Sequence, residues 1–255
     1  MQWLYVIHLK PRHCDVNYAI VLLSLLKVST METKAYTLMN QREGSFWWFV
    51  GMQKIIDSQL QKYAPKEKNS TILDAGCGTG GVFNMLAKYG RVYGVDQSEN
   101  AVKYAKSKNI AQGVILSSIT SLPYTDNSFD IVVCLDVLYH TRSGNDNHNS
   151  LREFYRVLRS GGMLVAREPA YNWLRGHQDE IVWTKRRYNK NEFVTLISEA
   201  GFETERASYV NFFLLPLAVL KRLSEHIYKP DNIIDNTFHT NWFLNGIFKR
   251  ILFIE

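Results

Sequence analysis

Residues 71–81 read TILDAGCGTGG, an apolar run, an acid and then four glycines in six positions. The last six residues fit the G-x-G-x-x-G spacing, in which glycines let the backbone approach a pyrophosphate at a helix N-terminus. Asp74, two residues before the first glycine, argues against that use, because a carboxylate at the same strand tip repels phosphates. The loop suits a ligand with a positive end and no phosphate.

On both sides of the loop the chain alternates strand and helix patterns. Thr71–Ala75 reads as a short buried strand, Val82–Tyr89 as a helix, and Arg91–Val95 as a second strand ending at Asp96. Ser98 is placed to cap a helix running through Lys106, with Glu99 in its first turn. Val114–Leu116 reads as a third strand. Phe129–Leu135 (FDIVVCL) reads as a fourth, continuous enough to be covered on both faces. Then follow a helix over Ser150–Leu158, a turn at Gly161 and Gly162, a fifth strand over Met163–Arg167, a helix over Asn191–Ala200 and a sixth strand over Phe202–Tyr209. Upstream, Phe49–Tyr63 has helical spacing and stops before Pro65. The alternation predicts an α/β fold, a doubly wound and mostly parallel sheet with its ligand at the carboxyl edge.

A chain of 255 residues with a net charge of +6 holds one sizeable core and no dense basic stripe, which argues against a nucleic-acid partner. Cys14, Cys77 and Cys134 lack metal-site spacing and read as reduced thiols of a cytoplasmic protein. The organisation expected is an extension over 1–30, a lid and helix over 31–65, the ligand-binding domain over 66–210 and a helical segment over 211–255. Within the extension, Tyr18–Leu26 (YAIVLLSLL) is too short to span a bilayer.

S-adenosylmethionine carries a sulfonium, an ammonium and one carboxylate, so Asp74 favours it where it would oppose NAD. Asp96, twenty residues beyond Gly76, is placed to accept from ribose hydroxyls, a feature that NAD enzymes share. Two alternatives therefore stay open, an NAD-dependent oxidoreductase and a cofactor-binding protein without turnover.

Four ordered stretches carry a resemblance: ILDAGCGTGG, VYGVDQSENAVKYA, LPYTDNSFDIVVCLDVLYH and LREFYRVLRSGGMLVAREP. Over residues 71–209 the chain resembles the class I S-adenosylmethionine-dependent methyltransferases of the small-molecule type, with their Rossmann-like fold. The resemblance implies that Asp74, Gly76, Cys77 and Gly78 surround the methionine portion, that Asp96 holds the ribose and that Gln97 flanks the adenine. It also implies Ser118 and Ile119 at the adenine and Leu135 beside the sulfonium. The family usually has an acid where this chain has Ser118, so weaker cofactor binding is expected.

The acceptor side is read less sharply. Tyr36 and Trp48, with the aromatic run Phe46–Phe49, read either as an anchor for the following helix or as a lid over the acceptor. His140, five residues beyond Leu135, reads either as a backbone-bonded loop histidine or as the base for a hydroxyl acceptor. Glu168, Arg175, His177, Arg187 and Tyr188 follow the fifth strand, where acceptor recognition belongs, although a solvated loop has the same composition. His177, Asp179 and Glu180 do not have metal-ligand spacing, and no metal is expected. Asn211–Leu223 and Asn241–Ile254 are apolar and interspersed with basic residues. Helices packed over the acceptor or a second subunit are expected in preference to a membrane surface. A small or lipid-linked acceptor, methylated at oxygen, fits these features.

The fold so inferred normally ends with an antiparallel seventh strand between the fifth and sixth. No segment after Tyr209 reads as that strand, so a sheet lacking it is expected, with an open edge or the sixth strand moved inward.

Overall fold

The computed structural model of the protein describes residues 2–8, 33–65, 69–141, 144–176, 179, 184–227 and 240–254. Its centre is a seven-stranded sheet in the order β4-β3-β2-β5-β6-β1-β7. The strands are β1 (Gln2–His8), β2 (Ser70–Ala75), β3 (Gly90–Asp96), β4 (Gly113–Leu116), β5 (Phe129–Leu135), β6 (Leu158–Pro169) and β7 (Glu203–Val210). The ladders among β2 to β6 are parallel, and β1 runs antiparallel to both of its neighbours, β6 and β7.

The sheet is therefore complete, which corrects the expected missing strand. The slot beside β6 is filled from the start of the chain, and the elements described after Val210 are helical. This also corrects the reading of residues 1–30 as an extension for the part over 2–8; Tyr18–Leu26 and Cys14 lie outside the described residues. The physical reason lies in QWLYVIH, whose Leu4, Val6 and Ile7 are at most 2% exposed within the sheet. Because β1 runs antiparallel, its first residue arrives at the carboxyl edge of the parallel strands, with Gln2 opposite Pro169 and Val210.

The eight helices described are α1 (Thr33–Arg42), α2 (Trp47–Tyr63), α3 (Phe83–Leu86), α4 (Glu99–Ser107), α5 (Gly144–Val157), α6 (Lys190–Glu199), α7 (Leu215–Ile227) and α8 (Trp242–Ile254). Their starts follow local chemistry. The Ser98 hydroxyl accepts from the Ala101 amide, and Asn189 and Glu192 form a reciprocal capping box at α6. β5 shows why its sequence is continuously apolar. Phe129, Val132 and Cys134 pack with Leu151, Phe154 and Ile197 on one face, and Ile131 and Val133 with Met52, Ile56 and Leu252 on the other. Gly161 and Gly162, read as a turn before the fifth strand, lie inside β6, where Gly161 takes a φ of 76°.

Candidate active site

The glycine loop is closed onto the end of β3. The amides of Gly76 and Cys77 donate to the Val95 carbonyl at 2.7 and 2.9 Å, and Gly76 takes a φ of 83°. The two oxygens of Asp96 accept from Gly78 N at 2.8 Å and from Ser98 N at 2.9 Å, so this acid organises the loop and the start of α4 together. A β-carbon at Gly76 would lie 2.4 Å from Val137, whereas above Gly78 the nearest atom is Met39 Cε at 3.5 Å. The loop is tight on one side and open on the other.

The open side faces a cavity of about 640 Å³. Asp74, Gly76, Cys77, Gly78, Asp96, Gln97, Ile119 and Leu135 all line it. Asp74 is fully buried, and its Oδ2 has no hydrogen-bond partner among the described residues. Burial, reinforced by the Asp96 carboxylate, pushes its pKa up to about 8. Burial also raises Asp96, which its amide donors partly offset. Such a site favours a cation beside Asp74 and disfavours a phosphate. Ser118 does not line the cavity: its hydroxyl bonds Thr120 Oγ1 at 2.8 Å and accepts from the Thr120 amide.

Residues of α1 and α2 wall this end. Glu43 joins them to the loop, accepting from Thr79 Oγ1 at 2.6 Å and pairing with Lys108. Tyr36 and Trp48 line the cavity with Phe46, Trp47 and Phe49. The Tyr36 phenol is pushed up to about 12, first by burial and then by Asp96, so it stays neutral. Glu43 was not foreseen, since no spacing in the sequence links it to Thr79.

At the other end, Asp136 follows β5 with a φ of 57°. It accepts from Gln2 Nε2 at 2.8 Å and pairs with Arg167, whose Nε lies 3.2 Å away. All three line the cavity and none was foreseen. Adjacency to Leu135 was the available signal for Asp136, whereas Gln2 is 134 residues away in sequence.

His140 lines the cavity on a single turn of 3₁₀ helix, Leu138–His140. That turn hangs on Glu168. Its buried carboxylate accepts from the amides of Val137, Leu138 and Tyr139 at 3.2, 2.9 and 3.1 Å. Burial, with Asp136, pushes Glu168 up to about 8, opposed by those three amides. Glu168 does not reach the cavity, which corrects its expected place at the acceptor. Tyr188 is corrected likewise: it is a core residue stacked edge-on to Phe193, with Asn147 Nδ2 donating to its hydroxyl at 2.5 Å. Arg175 is exposed, and its guanidinium donates to the carbonyls of Thr184 and Lys185 rather than facing the cavity. Arg187 lines the cavity, paired with Asp179 through Nε at 2.9 Å and donating to the Ala170 carbonyl. His177 and Glu180 lie outside the described residues. Leu214, just before α7, and Leu217, Ala218, Lys221 and Arg222 from α7 complete the wall.

Residues 73–166 match a family model described as a methyltransferase domain. A probable S-adenosylmethionine-dependent methyltransferase of Mycobacterium tuberculosis is 31% identical over 61% of this chain and 56% of its own. A malonyl-[acyl-carrier protein] O-methyltransferase of Hamiltonella defensa is 31% identical over 54% of this chain and 52% of its own. The chain thus spans about half the length of these curated relatives. The crystal structure of a putative methyltransferase from Bacillus halodurans superposes with a TM-score of 0.51 at 27% identity, covering 59% of this chain and 70% of that one. With its glycine loop, its two acids at consecutive strand tips and its sheet order, the chain is similar over residues 73–166 to the methyltransferase domain of S-adenosylmethionine-dependent methyltransferases.

Proposed function

We propose that the protein binds S-adenosylmethionine over its glycine loop and transfers the methyl group to an oxygen of a small or lipid-linked acceptor. The observation that carries this reading is Asp74, a buried carboxylate with an orphaned oxygen on the cavity wall. A ligand whose positive end donates a hydrogen bond satisfies it, and the ionised pyrophosphate of NAD, which has no donor, does not. The open space above Gly78 fits the methionine portion, and Asp96 and Gln97 line the adjoining wall for ribose and adenine.

When bound, the sulfonium supplies an activated methyl group for in-line displacement. The chain then has to orient the acceptor, exclude water and take a proton. We assign orientation to Arg187 and the apolar wall of α7, exclusion of water to the aromatic lid with Tyr36 and Trp48, and the acceptor's proton to His140. The malonyl-[acyl-carrier protein] relative, named as an O-methyltransferase, agrees with oxygen as the methylated atom.

The test is label transfer from S-adenosylmethionine carrying a tritiated methyl group, with aqueous and lipid extracts as acceptors. Label is expected in the organic phase, lost with Asp96→Ala and reduced about 10²–10⁴-fold with His140→Ala. Transfer that survives Asp96→Ala unchanged, or label confined to a nitrogen or carbon product, contradicts the proposal.

A further inference from the structure

The outer faces of α7 and α8 are apolar. On α7, Leu217, Leu220 and Leu223 recur at helical spacing and reach solvent, Leu220 at 62%, as does Phe213 just before the helix, while Leu214 and Arg222 turn towards the cavity. On α8, Trp242, Phe243 and Ile254 reach solvent at 83%, 59% and 77%, while Leu252 and Phe248 pack on α2. A helix bordering water normally shows it a mainly polar face, and on these two large apolar side chains dominate the exposed surface.

Two further observations say what covers them. Apart from Arg222, which turns to the cavity, segments 212–227 and 242–254 carry Lys221, Lys249 and Arg250 against one acid, Glu225. A second copy docked by two-fold symmetry would set these cations against themselves. Leu217, 49% exposed, and Lys221, also exposed, both line the cavity, so this face borders its rim. Apolar aromatic surface mixed with cations matches the boundary between acyl chains and anionic headgroups. Among the described residues no helix is long and apolar enough to cross a membrane.

We propose that α7 and α8 dock the protein on an anionic lipid surface, with the rim of its cavity against the headgroups. An acceptor with an apolar tail then enters from the lipid side. That last step rests on the acceptor proposed above, and the docking does not.

The experiment is co-sedimentation of the full chain with vesicles of phosphatidylcholine alone and of phosphatidylcholine mixed with phosphatidylglycerol. Binding is expected to be about tenfold or more stronger on the mixed vesicles and to weaken with salt. Arg250→Gln should weaken it about fivefold. Leu220→Glu with Leu223→Glu and Phe243→Glu should abolish it, while affinity for S-adenosylhomocysteine stays within about twofold and shows the fold intact. Failure to bind either vesicle, with S-adenosylhomocysteine still bound, overturns the docking and leaves the methyltransferase reading standing. A dimer by light scattering that the triple variant splits, without vesicle binding, overturns it in favour of a second copy. Vesicle binding without S-adenosylhomocysteine binding supports the docking and sinks the methyltransferase reading.

Discussion

Leu252 of α8 occupies the space that a side chain on Gly51 of α2 would need: a β-carbon there would lie 2.3 Å from Leu252 Cδ1. The side chain of Leu252 on α8 thus lies against the backbone of α2. Nearby, the Trp47 amide donates to Asn245 Oδ1 at 2.7 Å, and the Trp47 and Phe248 rings lie 5.2 Å apart. α8 thus packs on the outside of α2.

Gly51→Val should therefore lower stability by about 1–3 kcal/mol through overpacking. Adding Leu252→Ala should return part of that loss, because it empties the contested space. Denaturant unfolding of the single and double variants measures this coupling. Additive losses would show that the two residues do not compete.

The slot held by β1 makes its own demand. Leu4 is 2% exposed and Val6 1%, so Leu4→Asp or Val6→Asp buries an uncompensated carboxylate in the middle of the sheet. Each should cost about 3 kcal/mol or more and promote association through the strands it exposes. Thermal unfolding and light scattering check this. Wild-type stability in either variant would mean that β1 does not complete the sheet.

Asp74 and Glu168 predict a pH dependence. Their folded pKa values of about 8 stand above their ordinary carboxylate values, so the folded, ligand-free protein holds protons that the unfolded chain has released. Its stability should fall as pH rises from about 4 towards 8. Asp74→Asn should flatten part of that slope. A cationic ligand favours ionised Asp74, so binding S-adenosylmethionine at pH 7 should release protons, as calorimetry in buffers of differing ionisation enthalpy can read. Proton uptake on binding would count against the assignment.

Glu168 holds the turn that presents His140. Glu168→Ala should cost about 2–4 kcal/mol by stranding three buried amides. Under conditions where the variant stays folded, turnover should fall more than S-adenosylhomocysteine affinity. An equal fall in both would place Glu168 at the cofactor instead.

Much of this architecture was legible in the sequence. β5 has the bounds its apolar run suggested, and β2, β3, β4 and β7 lie within a residue or so of theirs, because short buried strands between glycines and polar turns declare themselves. β6 was read short because Gly161 and Gly162 signal a turn, although a strand accommodates them at an irregularity in its register with β5. QWLYVIH has aromatic and β-branched residues suited to a strand, but nothing local says that the start of a chain pairs with strands more than 150 residues away. The site divides in the same way. Asp74 and Asp96 follow from spacing along consecutive strands. Glu43, Gln2, Asp136 and Arg167 meet only through tertiary placement. Glu168 and Tyr188 looked functional because they are polar groups near a carboxyl edge, and the structure uses both internally.

With the unpartnered Asp74 oxygen beside it, the glycine loop is expected to serve a cofactor with a positive end. Titration calorimetry of the full chain with S-adenosylhomocysteine and with NAD tests it most directly. One saturable site for S-adenosylhomocysteine is expected, weakened by about 1.5–3 kcal/mol in Asp96→Ala, with no measurable heat from NAD. NAD binding as tight as that of S-adenosylhomocysteine, or an Asp96→Ala variant that binds like the parent, would contradict it.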